Sequence, residues 1–282
     1  MTAYPRISIV TCSLNQSRFI EAAIRSVLAQ EYPALEYIIV DGGSTDGTLE
    51  IIQRYQKHLA WWVSEEDKGQ TDALIKGFRQ ATGEVMGWLF SDDLLLPGTL
   101  KTVAEFFSRE KDAAVLFGDA IWIDDHNRIL GYKKEIGFNR FIWLWSYNYL
   151  PAPSTFWRRG IYEQVGGLDQ SYHLAMDGDL WERFSRCGKI AHVPEILSLI
   201  RRYPQQKNVR FRKQSDVEDN RYRLRSLGRP AFPLEVPMRR LTARAARVGL
   251  KIWHGCYGRY PSRDVSELLP VLKELPWPEP NG

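Results

Sequence analysis

The chain has 282 residues and a formal charge of +4, enough length to bury a sizeable core in one α/β domain with an appendage. Cys12, Cys187 and Cys256 are scattered and odd in number, which excludes a disulfide framework or a thiolate zinc site and reads as a reducing compartment. The N-terminus runs straight into an apolar strand with no signal-like region, and no window approaches the roughly 20 apolar residues of a membrane span; the expectation is a cytoplasmic protein, soluble or peripheral to the inner face of the cell membrane.

In chain order, a strand is predicted over 7–10. It is followed by a helix in which Phe19, Ile20, Ala23, Ile24, Val27 and Leu28 recur at three-and-four spacing. A second strand over 37–40 meets the turn Asp41-Gly42-Gly43-Ser44-Thr45-Asp46-Gly47, and Leu49, Ile51, Ile52 and Tyr55 open the next helix. A third unit places a strand at 61–64 and a helix at 71–81, with Gly83 where a helix C-cap would fall. A fourth strand covers 85–90. This alternation predicts a mostly parallel sheet flanked by helices.

After residue 110 the pattern changes. Short strands are predicted at 114–117, 120–123 and 129–132, the last two joined by a turn over 124–127, so antiparallel additions are expected. An aromatic-rich stretch over 138–149 is broken by Pro151 and Pro153, and short helices follow at 162–165 and 180–187. Beyond Tyr203 strand character is lost, and Pro230, Pro233 and Pro237 precede a helix near 239–253. The expected organisation is one domain over 1–205, in halves of about 1–110 and 111–205, and a basic, mostly helical extension over 206–282.

Ligands of an open α/β sheet sit beyond the carboxyl ends of its strands, where loops and helix N-termini converge. Each such end here is polar: Thr11-Cys12-Ser13-Leu14-Asn15, then Asp41, then Glu65-Glu66-Asp67-Lys68-Gly69-Gln70, then Ser91-Asp92-Asp93. Caps and turns explain any one of them alone, but not four along one edge. Adjacent carboxylates at Asp92 and Asp93 repel unless a cation, a proton or donors compensate them. A divalent ion, Mg²⁺ or Mn²⁺, fits, because Mg²⁺ takes few protein carboxylates and completes its shell with phosphate oxygens and water. Neither the G-x-G-x-x-G fingerprint nor the G-x-x-x-x-G-K-[ST] loop occurs.

Three separated stretches, 8–48, then SEEDKGQTDALIKGFRQATG over 64–83, then FSDDLLLP over 90–97, together resemble the family 2 glycosyltransferases of the GT-A fold, inverting enzymes that use nucleotide sugars. The resemblance covers about residues 5–205 and makes 1–110 the donor-binding half and 111–205 the acceptor half. It implies that Thr11 and Asp41 hold the base, usually uracil, with Ser13 and Asn15 in the same donor segment and Asp67 and Lys68 in the next. Of the acidic pair, Asp92 would reach the ribose and Asp93 would be the first metal ligand. Met176-Asp177-Gly178-Asp179-Leu180-Trp181 looks like the acidic motif whose acid, here Asp177, is the base that takes the acceptor proton.

Inverting displacement needs such a carboxylate opposite the leaving group, with an oxocarbenium-like transition state. The competing reading of Asp177 is a helix N-cap ahead of 180–187; Asp179, two residues on, is read as structural. One departure stands out: Tyr203, within Arg201-Arg202-Tyr203-Pro204, occupies the place of a family histidine, so Arg201 and Arg202 are alternative neutralisers of the diphosphate. A nucleotide-sugar-binding protein with little turnover is therefore the alternative function, and a nucleotidyltransferase a weaker one.

Trp143, Trp145, Tyr147, Tyr149, Trp157 and Trp181 either pack the core or, in one or two cases, face a sugar. Residues 205–260 hold fourteen Lys or Arg against four Asp or Glu, without any nucleic-acid motif, so no nucleic-acid partner is expected. The segment 238–253 carries Arg239, Arg240, Arg244, Arg247 and Lys251 among apolar residues. It reads either as a basic helix on an anionic bilayer, which suits a lipid-linked or glycan acceptor, or as a helix packed on the domain or a second subunit.

Overall fold

The computed structural model describes residues 4–257 and 265–269. The chain opens with β1 (Ile7–Ser13), buried at every position, and α1 (Ile20–Leu28), then β2 (Leu35–Asp41), α2 (Thr48–Tyr55), β3 (Trp61–Ser64), α3 (Gln70–Gln80) and β4 (Val85–Trp88). These are the three βα units and the fourth strand expected from the sequence. β1, β2, β3 and β4 pair in parallel, and burial on both faces explains why their sequences read as nearly unbroken apolar runs. Val10, Cys12, Ile38 and Val40 face one layer, with α3 and most of the tryptophans. Ile7, Ile9, Tyr37 and Ile39 face the other, with α1. Helix α3 lies close on the sheet because Gly77 has no side chain: a Cβ there would be 2.4 Å from a Val10 methyl.

The second half continues through β5 (Leu94–Leu95), α4 (Thr99–Arg109), β6 (Ala113–Ile123), β7 (Ile129–Lys133), α5 (Arg140–Trp145), β8 (Thr155–Arg158), α6 (Arg159–Gln164), α7 (Met176–Cys187) and β9 (Lys189–Arg201). The strand order is β3-β2-β1-β4-β8-β6-β9-β5, with β7 on β6. β8 is antiparallel to both β4 and β6, and β9 runs parallel to β6.

Several expectations are corrected here. The two strands predicted over 114–117 and 120–123 are one: β6 passes through Gly118 and Asp119 with a shift in register. Gly118 is needed because Leu197 lies against it, 2.6 Å from where a Cβ would sit. Gly83 does not cap α3, which ends at Ala81 in extended conformation; it lies where a Cβ would meet the Ser8 backbone at 2.7 Å. The helix predicted over 180–187 starts a turn earlier, at Met176.

Helices α8 (Lys207–Arg210), α9 (Arg212–Arg225) and α10 (Glu235–Trp253) complete the described chain apart from a short turn of helix at Val265–Leu268; of the extension expected over 206–282, residues 258–264 and 270–282 lie outside the described residues. α9 and α10 share the core of the preceding domain, since Tyr222 and Ala243 are buried in one cluster with Trp143 and Trp181. α10 is anchored by ion pairs from Arg247 and Lys251 to the buried Glu135, which also pairs with Lys133. Among the described residues no helix is long and apolar enough to cross a membrane.

Candidate active site

Register places Ser13 beside Asp41 and Asp41 beside Ser64, so the expected residues gather at the carboxyl edge of β1, β2 and β3. Asp41 is fully buried and is the keystone of its own loop. Its Oδ2 accepts from the Gly43 and Ser44 N–H groups and from the Ser64 hydroxyl, at 3.2, 2.9 and 2.7 Å, while the Ser44 hydroxyl donates to Oδ1 at 2.5 Å. Asn15, at φ 51°, ties the first loop to the second: its N–H donates to Ser44 Oγ and its Oδ1 accepts from Thr45 N–H. Asn tolerates this left-handed backbone better than most residues.

The hydroxyl of Thr11 is spent inside the sheet on the Tyr37 phenol, 3.1 Å away, on the same face as Ile9. The hydroxyl of Ser13 is buried with no hydrogen-bond partner. A buried hydroxyl left unpaired is costly, and at a strand end it marks a place where a ligand atom would be welcome. Asp67 holds the Gly69 N–H at 2.7 Å, and its Oδ2 lies 2.6 Å from where a Cβ on Gly42 would be. Lys68 is exposed, without an ion-pair partner among the described residues. The Cys12 thiol is pushed up to about 12, chiefly by burial, with Asp67 and Asp92 adding to the shift and Gln70 opposing it.

Asp92 and Asp93 diverge. Asp93 is buried and turned into the protein, where Oδ1 accepts the Arg201 N–H at 2.9 Å. Burial, then the neighbouring Asp92, hold its carboxyl well above the usual range, against the Arg201 N–H and guanidinium. Asp92 is half-buried. Its Oδ2 accepts from the Tyr203 hydroxyl at 3.0 Å and from the Gln206 amide at 2.9 Å, and its Oδ1 has no partner among the described residues. Arg201 does not face a diphosphate: its guanidinium donates to the carbonyls of Asp92 and Asp124 and to Asn127, pinning the end of β9 to two turns. Arg202 lies over the Trp122 ring, 4.3 Å from its centre.

Asp177 is not an N-cap. Helix α7 is capped at Ala175 without any bond from the cap's own side chain; Glu218 of α9 accepts from the N–H groups of His173, Leu174 and Ala175, fixing the loop that leads into the helix and placing a negative charge at its N-terminal end. The same loop reaches the carboxyl edge of the sheet, because the Thr71 hydroxyl at the start of α3 donates to Tyr172 O, and Lys207 Nζ donates to His173 O. Asp177 Oδ1 accepts from Gly178 N–H at 2.7 Å, and Oδ2 from the Asn148 amide at 2.8 Å. Asn148 is oriented in turn by the Trp143 indole N–H, a donor only, 3.1 Å from its Oδ1. The Asp177 carboxyl is pushed up to about 6 by burial, with Asp219 adding and the Gly178 and Asn148 donors opposing. Asp179 is structural: it is fully buried between Arg183 and Arg225.

Four residues of this site escaped the sequence reading. Asn148 lies in the aromatic-rich stretch, just after α5, while Gln206, Lys207 and Asp219 sit in a polar, basic stretch with no periodic signal and are brought in by the segment that forms α8 and α9. Of the six aromatics weighed as sugar contacts, Trp143, Trp145, Tyr149, Trp157 and Trp181 are buried and Tyr147 alone is exposed, bonded to Glu135. A separate depression of about 450 Å³, lined by Glu84, Arg158, Arg159, Gln164 and Cys187 among others, lies at the opposite end of β4. Among the described residues no three His, Cys, Asp or Glu side chains converge on a metal position.

Residues 8–166 match the family model described as Glycosyl transferase family 2. An uncharacterised glycosyltransferase of Mycobacterium tuberculosis is 28% identical over 182 residues, which is 63% of this chain and 68% of that protein. The PGL/p-HBAD biosynthesis glycosyltransferase of Mycobacterium bovis is 30% identical over 189 residues, 66% of this chain and 70% of the relative. Among solved structures, S. aureus TarS 1–349 in complex with UDP-GlcNAc has a TM-score of 0.65 at 17% identity, over 88% of this chain and 73% of that one. The mannosyltransferase PcManGT from Pyrobaculum calidifontis, in complex with GDP-Man and Mn²⁺, has a TM-score of 0.61 at 18% identity, over 96% and 83%.

Proposed function

Because this chain belongs to glycosyltransferase family 2 and carries the GT-A fold, we propose that it is an inverting transferase moving a sugar from a UDP-sugar to a hydroxyl of a glycan or lipid-linked acceptor. Surface-glycan or polysaccharide synthesis at the cytoplasmic side of the membrane is the setting we infer, with the catalytic part over 1–205. The observation that carries the reading is the unpaired buried hydroxyl of Ser13 and the open carboxylate oxygen of Asp92 at the carboxyl ends of the strands, with the acid Asp177 on a helix whose preceding loop is tied to the same edge through Thr71. The UDP-GlcNAc and GDP-Man held by two structures of the same fold support a nucleotide-sugar donor.

In this reading Ser13 and Asn15, with the loop built on Asp41, meet the base; the Thr11 hydroxyl, committed to Tyr37, supports the strand instead. Asp67 and Lys68 flank the donor, and Lys68 brings a positive charge to the diphosphate. Asp177 accepts the proton of the acceptor hydroxyl as its oxygen bonds to the anomeric carbon and the bond to the diphosphate oxygen breaks on the opposite face. The donors on Asp177, Gly178 N–H and the Asn148 amide, leave lone pairs on both oxygens for the incoming hydroxyl.

The residues fit a divalent cation, Mn²⁺ or Mg²⁺, that the donor would complete. Asp92 offers one unpartnered oxygen, and such ions need only one or two carboxylates when phosphate oxygens and water supply the rest. Asp92 leads here and Asp93 follows, the reverse of the sequence expectation, because Asp93 is buried and bonded to a backbone N–H. A bound cation would supply charge neutralisation of the departing nucleoside diphosphate.

The test is to titrate UDP with and without Mn²⁺ by calorimetry, and then to follow donor consumption over a panel of nucleotide sugars and acceptors. Turnover that is lost in Asp177→Asn while UDP binding persists supports the reading; equal rates for variant and parent exclude Asp177 as base. The second reading, a nucleotide-sugar binder with little turnover, draws on Tyr203 and Gln206, which occupy one oxygen of Asp92. A binder would titrate with UDP and consume no donor.

A further inference from the structure

Helix α10 is amphipathic in the sense opposite to the one its sequence suggests. Four of its five basic side chains turn inward: Arg247 and Lys251 to Glu135, Arg240 to Asn220, and Arg239 to Glu235 and over the Trp145 ring. The face left to solvent is apolar. Leu234, just ahead of the helix, then Met238, Leu241, Val248 and Ile252 are all exposed, Leu241 at 71%, and their spacings of four, three, seven and four residues align them along one side of a helix. Trp253, at 85% exposure, and Tyr257 extend the stripe at its C-terminal end. A soluble surface does not leave a continuous row of large apolar side chains in water without a use for it.

We propose that this face seats the protein on an anionic membrane surface, with α10 lying in the plane of the interface and its apolar stripe in the acyl boundary. Three observations favour a lipid occupant. The stripe is flanked by the exposed Arg244, which has no carboxylate partner among the described residues. Over residues 226–257 the one acid is Glu235, and it is consumed by Arg229 and Arg239, so nothing there repels an anionic headgroup. The stripe's C-terminal end carries Trp and Tyr, whose rings suit the headgroup level.

A second copy of the chain fits less well. The stripe is one helix wide, about 28 Å by 10 Å for a helix of this length, so two copies would cover on the order of 600 Å², about half of the roughly 1,200 Å² typical of stable interfaces.

The test is flotation of the full chain with vesicles of phosphatidylcholine alone, or with about 30 mol % phosphatidylglycerol, alongside sedimentation velocity without lipid. The parent chain is expected to float with the anionic vesicles and to sediment as a monomer. Leu241→Glu with Ile252→Glu, both at exposed positions, lowers the bound fraction at least about tenfold, with melting temperature and UDP binding unchanged. Arg244→Glu weakens binding to the anionic vesicles alone. A parent chain absent from both vesicle fractions, or floating equally with both, overturns the proposal, as does a dimer that the double variant converts to monomer. UDP binding is read in the same samples, so a failure here is distinguishable from a failure of the transferase reading.

Discussion

Asp177 carries its charge in surroundings that resist it, and that has consequences that can be measured. With its carboxyl pushed up to about 6 by burial and Asp219, kcat/KM is expected to rise with pH through about 6 as the base ionises, then level off. Asn148→Ala removes a donor that favours the charged form, so the same rise should move to higher pH; an unmoved profile would show that the amide does not touch the working base. The folded-state value lies above the unfolded one of about 3.9, so the charged form costs stability fully above pH 6, and the cost fades as pH falls towards 4. Asp177→Asn should therefore melt no lower than the parent at pH 8, and its advantage should shrink at pH 5. The acidic pair gives a second contrast. Asp92→Asn is expected to weaken Mn²⁺-dependent UDP binding by about tenfold or more, whereas Asp93→Asn keeps an acceptor for the Arg201 N–H and should leave thermal stability near the parent's. Loss of the Mn²⁺ effect in the Asp93 variant alone would restore the order expected from sequence. Thr11, Ser13 and Asn15 were all legible as donor-side candidates, but the division of labour among them was not, because it depends on Tyr37, on the neighbouring strand.

At the level of elements, helices with strong periodicity and parallel strands with long apolar runs were readable: β1, β2, β3, α1 and α3 lie within a few residues of their expected places. β9 and the continuous β6 were not, because Pro194-Glu195 and Gly118-Asp119 look like breaks. In the fold these positions absorb a shift in register between two strands that run side by side. Asp119 is stabilised there by the Glu135 N–H and the His192 ring, long-range partners that no local pattern announces. The docking of α10 rests on Glu135, which burial raises but which Lys133, Arg247 and Lys251 together hold below the usual carboxylate range. Removing one member of such a buried set strands the others. Glu135→Gln is expected to lose about 3–5 kcal/mol in urea unfolding; a loss below about 1 kcal/mol would mean that α10 is held by its apolar contacts alone.

For the whole molecule, α9 is the piece that joins the extension to the site. Tyr222 covers Gly178, so tightly that a Cβ there would lie 2.6 Å from its ring, and Arg225 reaches the buried Asp179 and Glu182. A chain ending at residue 205 would expose Trp143 and leave those acids short of a cation. It is expected to aggregate or to unfold without a cooperative transition, and a sharp melt of the truncated chain would show that the extension is dispensable. Saturating UDP with Mn²⁺ should raise the melting temperature of the full chain by several degrees, since a ligand at a hundred times its Kd adds about 2.7 kcal/mol. By itself the sequence determined the alternating βα frame, the polar strand ends and the acids at Asp41 and Asp92, because apolar period and strand-end chemistry are local properties of the chain; Asp177 was picked out by the likeness of its motif to the family's acidic motif. Tertiary structure alone decided which acid of the pair faces outward, what orients Asp177 and which face of α10 meets solvent, because each depends on partners distant in the chain, Arg201, Asn148 and Glu135 respectively, whose burial cannot be read from spacing.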